Sequence, residues 1–468
     1  LIEFQTSFEK FPKHFYSKTK PYAFKNATLL AFNSDFASEI GLDQLNELSL
    51  DEITKYFSAQ KLFETGAYIS IAYAGHQFGH FNPTLGDGRA VLIGETKSPN
   101  KFDIQLKGSG PTAYSRRGDG LSALGPVIRE YIVSESMHYL NIPTTRALCA
   151  CLTGESVSRQ TLEPGGILTR VASSHLRIGN FEFLAANHDY DGLKNLLDYS
   201  INRHYPQIKD TPSLNDRALL FLTAVAKKQA SLISKWMGVG FIHGVMNTDN
   251  MSICGETIDF GPCAFMDHFK KDRVFSFIDS HARYAYNNQL KIGLWNIYQL
   301  ANSLSSLFST VPQREELEKT MNSCHEFYEE CYLEQMSKKF GLRESVKENK
   351  TIVDSFFFAL EEKNLDFTDS FINLTYEPEK LREQEHFREF FDSWDKQEIS
   401  IKLMKENNPY LIPRNHHIEK IINDIYKGDH TSFNEYLEKL KSPFSIDNQN
   451  FLAPPTPTEI VKNTFCGT

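Results

Sequence analysis

The sequence predicts an α+β chain built as two lobes with a helical C-terminal extension. Three observations carry that expectation. Between residues 70 and 125 glycine recurs at Gly75, Gly79, Gly86, Gly88, Gly94, Gly108, Gly110, Gly118, Gly120 and Gly125, with strand-like runs between the turns. From about residue 173 the hydrophobic spacing turns mostly helical. Beyond about residue 345 the chain becomes more polar and charged while keeping helical segments. The expected divisions are 1–172 for the first lobe, 173–350 for the second, and 351–468 for the extension and tail.

Taken in order, residues 1 to about 60 are an aromatic-rich lead-in with no assigned element. Ala90–Ile93 and Phe102–Leu106 are the clearest strands, short apolar runs bounded by turn residues. Ser122–Leu140 reads as a helix, because Leu124, Val127, Ile128, Tyr131, Ile132 and Met137 fall mostly on one face. Two more strands are expected at Thr145–Leu152 and Gly166–Ala172. Leu214–Met237 is a long helix with Ser213 as its N-cap and Gly238 and Gly240 as its stop. Leu294, Ile297, Ala301, Leu304 and Leu307 space out another amphipathic helix. Ile352–Leu360 and His417–Tyr426 are helices of the extension, and Pro454, Pro455 and Pro457 mark a loop or extended tail.

Composition bounds the function. Of 468 residues, 41% are hydrophobic and 23% charged, as in a soluble globular protein with a substantial core. A net charge of -9 argues against coating nucleic acid. No apolar run approaches the roughly 18 residues of a membrane helix. Leu1–Phe24 lacks the apolar core of a signal peptide. The seven cysteines have no CxxC pair and are odd in number, so a reducing cytoplasm with mostly free thiols is expected.

The chemistry centres on His243-Gly-Val-Met-Asn-Thr-Asp-Asn250. A protein-kinase catalytic loop reads H-R-D-x-x-x-x-N, with the Asp as base and the Asn on metal. Here Asn250 is in register and Val245 stands where the base would be. Asp259-Phe260-Gly261 follows, the tripeptide whose Asp holds magnesium in kinases. The segment between, Met251–Ile258, has hairpin chemistry around Gly255-Glu256. Lys107 ends a strand and Glu130 sits on the following helix, the kinase pair that grips phosphates. Alone they would read as a surface ion pair; with Asn250 and Asp259 downstream they complete a kinase-like, bilobal set. Glycine turns at Gly86-Asp87-Gly88-Arg89, Gly108-Ser109-Gly110 and Gly118-Asp119-Gly120 surround that lysine and form a candidate phosphate cradle. They match neither a Walker loop nor the kinase GxGxxG. Arg170 and Arg177 lie where a kinase has its adenine-binding hinge, and guanidiniums there point to phosphate in place of the base. His76 and His80 are spaced as half a zinc site on a helix, but Gly75 and Gly79 disfavour the helix and no third ligand is evident.

Together these residues resemble the selenoprotein O family of kinase-like proteins, sometimes called pseudokinases. The resemblance runs from about Tyr73 to Asp267. It is carried by YAGHQFGHFNPTLGDGRA, DIQLKGSGPTAYSRRGDG, HGVMNTDNMSI and IDFGP. The family implies transfer of AMP from ATP to Ser, Thr or Tyr hydroxyls of proteins, with ATP inverted relative to a kinase and pyrophosphate released. By the same resemblance Gly86, Gly88, Arg89, Asp119 and Gly120 would contact the nucleotide. Lys107, oriented by Glu130, and Arg170 and Arg177 would hold its phosphates. Asn250 and Asp259 would bind Mg2+, or Mn2+ in its place, and Asp249 would accept the hydroxyl proton. The implied partners are ATP and protein substrates, with no nucleic acid or membrane.

One departure matters. Some members pair a C-terminal cysteine or selenocysteine with a cysteine shortly after the DFG-like segment. Cys466 fits the tail position, selenocysteine is absent, and the region around Phe275 and Ser276 has no cysteine. Cys263 is the nearest, so Cys466→Ser is expected to change activity little. Two other readings remain open at this point. One is a conventional kinase or phosphotransferase with Asp249 as a substitute base. The other is a non-catalytic nucleotide-binding scaffold.

Overall fold

The computed structural model describes residues 2–343 and 347–465. The lead-in is built rather than loose. It contributes strands β1 (Phe4–Gln5), β2 (Tyr16–Lys18) and β3 (Thr28–Phe32), then helices α1 (Ser34–Glu39) and α2 (Leu50–Phe57). Its aromatic side chains explain why: Phe4, Phe8, Phe11, Phe15 and Phe24 are all buried, so the segment anchors through rings rather than through a periodic pattern. Ser49 and Glu52 close a capping box at the start of α2.

Strands β4 (Ile69–Gln77), β5 (His80–Gly86), β6 (Ala90–Thr96), β7 (Asp103–Lys107) and β8 (Ser122–Ala123) follow. Helix α3 (Leu124–Tyr139) and strands β9 (Arg146–Ser158) and β10 (Leu162–Ala172) complete the first half. These ten strands form one antiparallel sheet in the order β2-β4-β6-β7-β10-β9-β3, with β1 on β6, β5 on β4 and β8 on β10. Lys107 pairs with Ala90 on one side and Leu168 on the other, which sets its side chain at the sheet centre.

The second half is helical: α4 (Ile178–Ala186), α5 (Tyr190–His204) and α6 (Leu214–Gly238), then the short pair β11 (Phe241–Ile242) and β12 (Ala264–Phe265). Ser213 caps α6 by accepting from the Asp216 amide, and Gly240, at φ +70, turns the chain into β11. The loop bearing Asp249 and Asp259 hangs between β11 and β12. Met251–Ile258 does not form the expected self-paired hairpin. The Ser252 hydroxyl bonds the Glu256 carbonyl and amide to hold the turn, while Ser252 bridges to Arg177 and Thr257 to Thr144. Each arm thus satisfies its backbone against a different neighbour.

Helix α7 (Gln289–Leu304) and the start of α8 (Val311–Lys339) pack into the main core through Ile297, Leu300 and Tyr328, while the end of α8 with α9 (Asn349–Lys363), α10 (Phe367–Tyr376), α11 (Glu379–Arg382), α12 (Arg388–Trp394) and α13 (Ile401–Asn407) builds a second core around Phe356, Phe371 and Phe390. The last two, α14 (Asn415–Tyr426) and α15 (Thr431–Leu440), cross back to the first half and pack on α3. Ile418, Ile422, Phe433 and Tyr436 share a core with Val127, Ile128 and Tyr131. Arg129 pairs with Glu419, and the Tyr426 hydroxyl accepts from the Gly125 amide at 3.2 Å. Helix α3 is therefore buried on nearly every face, including Arg129, Glu130 and Glu135, and not only on its apolar stripe. No helix among the described residues is long and apolar enough to cross a membrane.

Candidate active site

A cleft of about 1010 Å³ opens between the sheet and the β11–β12 loop. Every residue expected at the site except Glu130 lines it: Gly86, Gly88, Arg89, Lys107, Asp119, Gly120, Arg170, Arg177, Asp249, Asn250 and Asp259. Glu130 stands behind Lys107, accepting from its Nζ at 2.6 Å.

Asp259 is the hub. Lys107 Nζ lies 2.7 Å and Arg170 Nη1 2.6 Å from its Oδ1, and Arg177 Nη1 lies 3.4 Å from its Oδ2. Its backbone sits in the left-handed region at φ +64, a strained conformation for a non-glycine residue that aims the carboxylate into the cleft. Burial opposes its charge, yet Arg170, Lys107 and Arg177 hold its carboxyl well below the usual range. Arg170 is fixed by its neighbours: its Nε donates to Gln105 Oε1 at 2.8 Å across the β7–β10 pairing. Arg177 donates to the Asp249 carbonyl at 3.0 Å and stacks over Tyr73, its carbon 4.7 Å from the ring centre.

Asp249 differs from Asp259 in every respect that matters to proton transfer. It is buried, and Oδ1 has no hydrogen-bond partner. Its Oδ2 has a long contact to Gln77 Nε2 at 3.4 Å. Burial pushes its carboxyl up to about 6, against the pull of Arg177. Beside it, the Asn250 Nδ2 donates to the Val245 carbonyl at 3.0 Å, which leaves the amide oxygen as an acceptor. That oxygen and the Asp259 carboxylate make a pair of hard donors, the small protein share magnesium takes alongside substrate phosphates. Among the described residues no group of three or more His, Cys, Asp or Glu side chains gathers as a metal cage.

The glycine turns pack on one another. Gly120, at φ +71, comes so close to Gly110 that a Cβ would fall 2.2 Å from its carbonyl carbon. A Cβ on Gly86 would meet the Tyr114 ring at 2.3 Å. Thr112 Oγ1 donates to the Asp87 carbonyl at 2.7 Å and Ser115 to the Gly88 carbonyl, stitching the first turn to the segment between the second and the third. Asp119 is held by Arg159 in a two-pronged contact at 2.8 and 3.1 Å.

Several residues of the site carried no signal of their own in the sequence. Asp87, between two glycines, is buried and accepts from Gln105 Nε2 and the Ile71 amide, each at 3.1 Å. Glu182 on α4 and Thr248 on the loop meet His76 from β4. His76 and His80 sit at the tip of the β4–β5 hairpin, not on a helix, and the His76 ring is taken by Glu182. Cys263 is buried, with its thiol donating to the Phe260 carbonyl at 3.4 Å. Cys466 lies outside the described residues; the chain just before it is docked, Thr464 donating its amide to the Phe275 carbonyl at 2.8 Å.

Comparison with known proteins agrees along the chain. The family model described as protein adenylyltransferase SelO matches residues 1–441. Protein nucleotidyltransferase YdiU of Roseobacter denitrificans is 43% identical over 476 residues, covering 99% of both chains. The YdiU proteins of Bacillus thuringiensis and Bacillus cereus are each 44% identical over 481 residues, covering 99% of this chain and 97% of theirs.

Proposed function

The chain belongs to the SelO family of protein adenylyltransferases, and from that premise we propose that it binds ATP inverted and moves its AMP to protein Ser, Thr or Tyr hydroxyls. It is a protein nucleotidyltransferase. The finer reading takes the sheet and α3 as the first lobe of a kinase-like fold (1–172), the helices around the loop as the second (173–350), and 351–468 as an extension.

One observation carries the reading: Lys107, Arg170 and Arg177 converge on one carboxylate, Asp259, inside a buried part of the cleft. Three cations around a group that also suits a metal form a site for a polyphosphate and its leaving group. Adenine needs none of them. With the phosphates drawn inward, the base points toward the glycine turns, where Gly86, Gly88, Arg89, Asp119 and Gly120 line the wall. Asn250 and Asp259 would hold Mg2+, or Mn2+; when bound, it supplies positive charge to the phosphates and to departing pyrophosphate.

The acceptor oxygen then attacks the α-phosphorus. A phosphoester bond forms, the α–β anhydride bond breaks, and pyrophosphate carries away the electron pair. The hydroxyl proton passes to Asp249. A carboxylate whose pKa stands near 6 accepts a proton more readily than an ordinary one while staying mostly ionised at neutral pH. Val245 is buried and cannot take that proton. Arg177 orients both partners, holding the Asp249 backbone and facing Asp259.

The test is incubation with ATP labelled separately at the α and γ positions. Protein should gain label from α alone. Label from γ and not α would restore phosphate transfer, and label from neither would leave a nucleotide-binding scaffold.

A further inference from the structure

Strand β4 is bolted to the loop that carries Asp249. We propose that Glu182 is a positioning residue for Asp249, acting through Thr248 and His76; this rests on the adenylyl-transfer reading above. Glu182 does not line the cleft. Its side chain is 3% exposed, and both oxygens are committed. One accepts from the His76 ring at 2.5 Å, with the proton on Nδ1, the tautomer a carboxylate selects. The other accepts from the Thr248 hydroxyl at 2.5 Å. The Thr248 oxygen in turn accepts from the His76 backbone amide at 2.7 Å. Helix, loop and strand are thereby closed into one ring of hydrogen bonds.

Thr248 is the residue before Asp249, so the ring fixes the peptide from which the base projects. The surroundings leave little slack. A Cβ on Gly75 would stand 2.6 Å from Asp249 Oδ1, and one on Gly179 would stand 2.2 Å from the Ala74 carbonyl oxygen. The Phe78 amide and the Tyr284 hydroxyl both donate to Asn247 Oδ1, at 3.0 and 2.6 Å. Asn180 Nδ2 reaches the Ala72 carbonyl at 2.8 Å. Packing alone would be served as well by an apolar residue at 182, since burying a carboxylate is costly unless its bonds are met. A carboxylate with two directional bonds fixes an orientation instead. Asp249 lacks a firm side-chain bond of its own, so its aim depends on the backbone that this ring holds.

The test compares Thr248→Val, which keeps the shape and deletes the hydroxyl, with Thr248→Ser, which restores it. Displacing a reacting group by about 1 Å costs about 100-fold. Thr248→Val should therefore lower kcat for AMP incorporation from α-labelled ATP by about 10- to 100-fold. KM for ATP should move less than about 3-fold, and Thr248→Ser should recover to within about 3-fold of wild type. Backbone amides of residues 74–78 and 245–251 should exchange at least about 10-fold faster in Thr248→Val and not in Thr248→Ser. The double variant Thr248→Val with Glu182→Ala should lose no more kcat in total than Glu182→Ala alone, as for members of one network. If the Glu182→Ala protein does not fold, the Thr248 pair decides. A wild-type kcat in Thr248→Val, a loss confined to KM, no recovery with Ser, or unchanged exchange would each overturn the proposal. If wild type incorporates no AMP, the proposed reaction is what fails, and the exchange comparison still decides whether the ring holds the loop.

Discussion

Replacing Asp249 with asparagine should make the metal-free, nucleotide-free protein more stable while abolishing transfer. Burial raises the Asp249 carboxyl from 3.8 to about 6, with Arg177 only partly offsetting it. A gap of about 2, at about 1.4 kcal/mol per pH unit, means that ionised Asp249 costs the fold about 3 kcal/mol. Because the folded value lies above the unfolded one, the native state binds more protons between them. Stability should thus fall as pH rises from about 4 to about 6, and stay level above that. Asparagine carries no charge and removes the slope. Its advantage should be close to zero near about pH 4 and reach about 3 kcal/mol above about pH 7. For a chain of 468 residues, about 1 °C of Tm accompanies each kcal/mol, so a gain of about 3 °C is expected at pH 8. Scanning calorimetry in a chelator, over a pH series, measures it. No gain at pH 8, or an equal gain at pH 4.5, would show that buried charge at Asp249 is not the source.

Lys107→Ala and Asp259→Ala should each lower kcat/KM for AMP transfer by at least about 100-fold with the far-ultraviolet circular dichroism unchanged, since the first removes a phosphate grip and the second the carboxylate that would hold the metal; near-normal turnover in both would leave the site without support. Arg177→Lys should lose more than about 10-fold, because the guanidinium spreads its contacts over Nε to the His175 carbonyl, Nη1 to the Asp249 carbonyl and Asp259, and Nη2 toward Asp87, a span one ammonium cannot cover; steady-state kinetics with ATP decides it. Gly120→Ala should weaken ATP binding in titration calorimetry and cost about 2 kcal/mol or more of stability, given a left-handed backbone and a contact at 2.2 Å with Gly110. Wild-type affinity in that variant would mean the turn is not part of the nucleotide wall.

The parts of the site readable in sequence are those fixed by local pattern. Lys107 stands at the end of a β-run and Glu130 on the next helix, so strand and helix periods alone bring them within reach. Asn250 and Asp259 are joined by one short loop, and their common destination follows from its length. Glu182 was invisible, because α4 reads as an apolar helix and nothing near 182 announces a partner 66 residues further on at Thr248. His76 and His80 are legible only in part, as a pair unsuited to a helical zinc site. Gly75 and Gly79 break both periods, and only pairing between Gln77 and His80 reveals the hairpin. The lead-in shows no readable element because its rings anchor singly, through burial that only the distant sheet supplies. The return of α14 and α15 to α3 is also a long-range event. The sequence of α3 shows an apolar stripe, while the contacts that bury its other faces come from about 300 residues away.

The crossing of α14 and α15 onto α3 has a consequence for biosynthesis. The helix that carries Glu130 is made early, and its outer face stays bare until the ribosome has passed residue 440, where α15 ends, one residue before the family match stops. A nascent chain would by then already hold Lys107, Asn250 and Asp259. It would lack the brace that seats Glu130 behind Lys107. The order of translation would thus leave the proposed centre unbraced until α15 has been made. A chain broken off before α14 should emerge as an inert fragment, and not as a truncated enzyme loose among hydroxyl-bearing proteins.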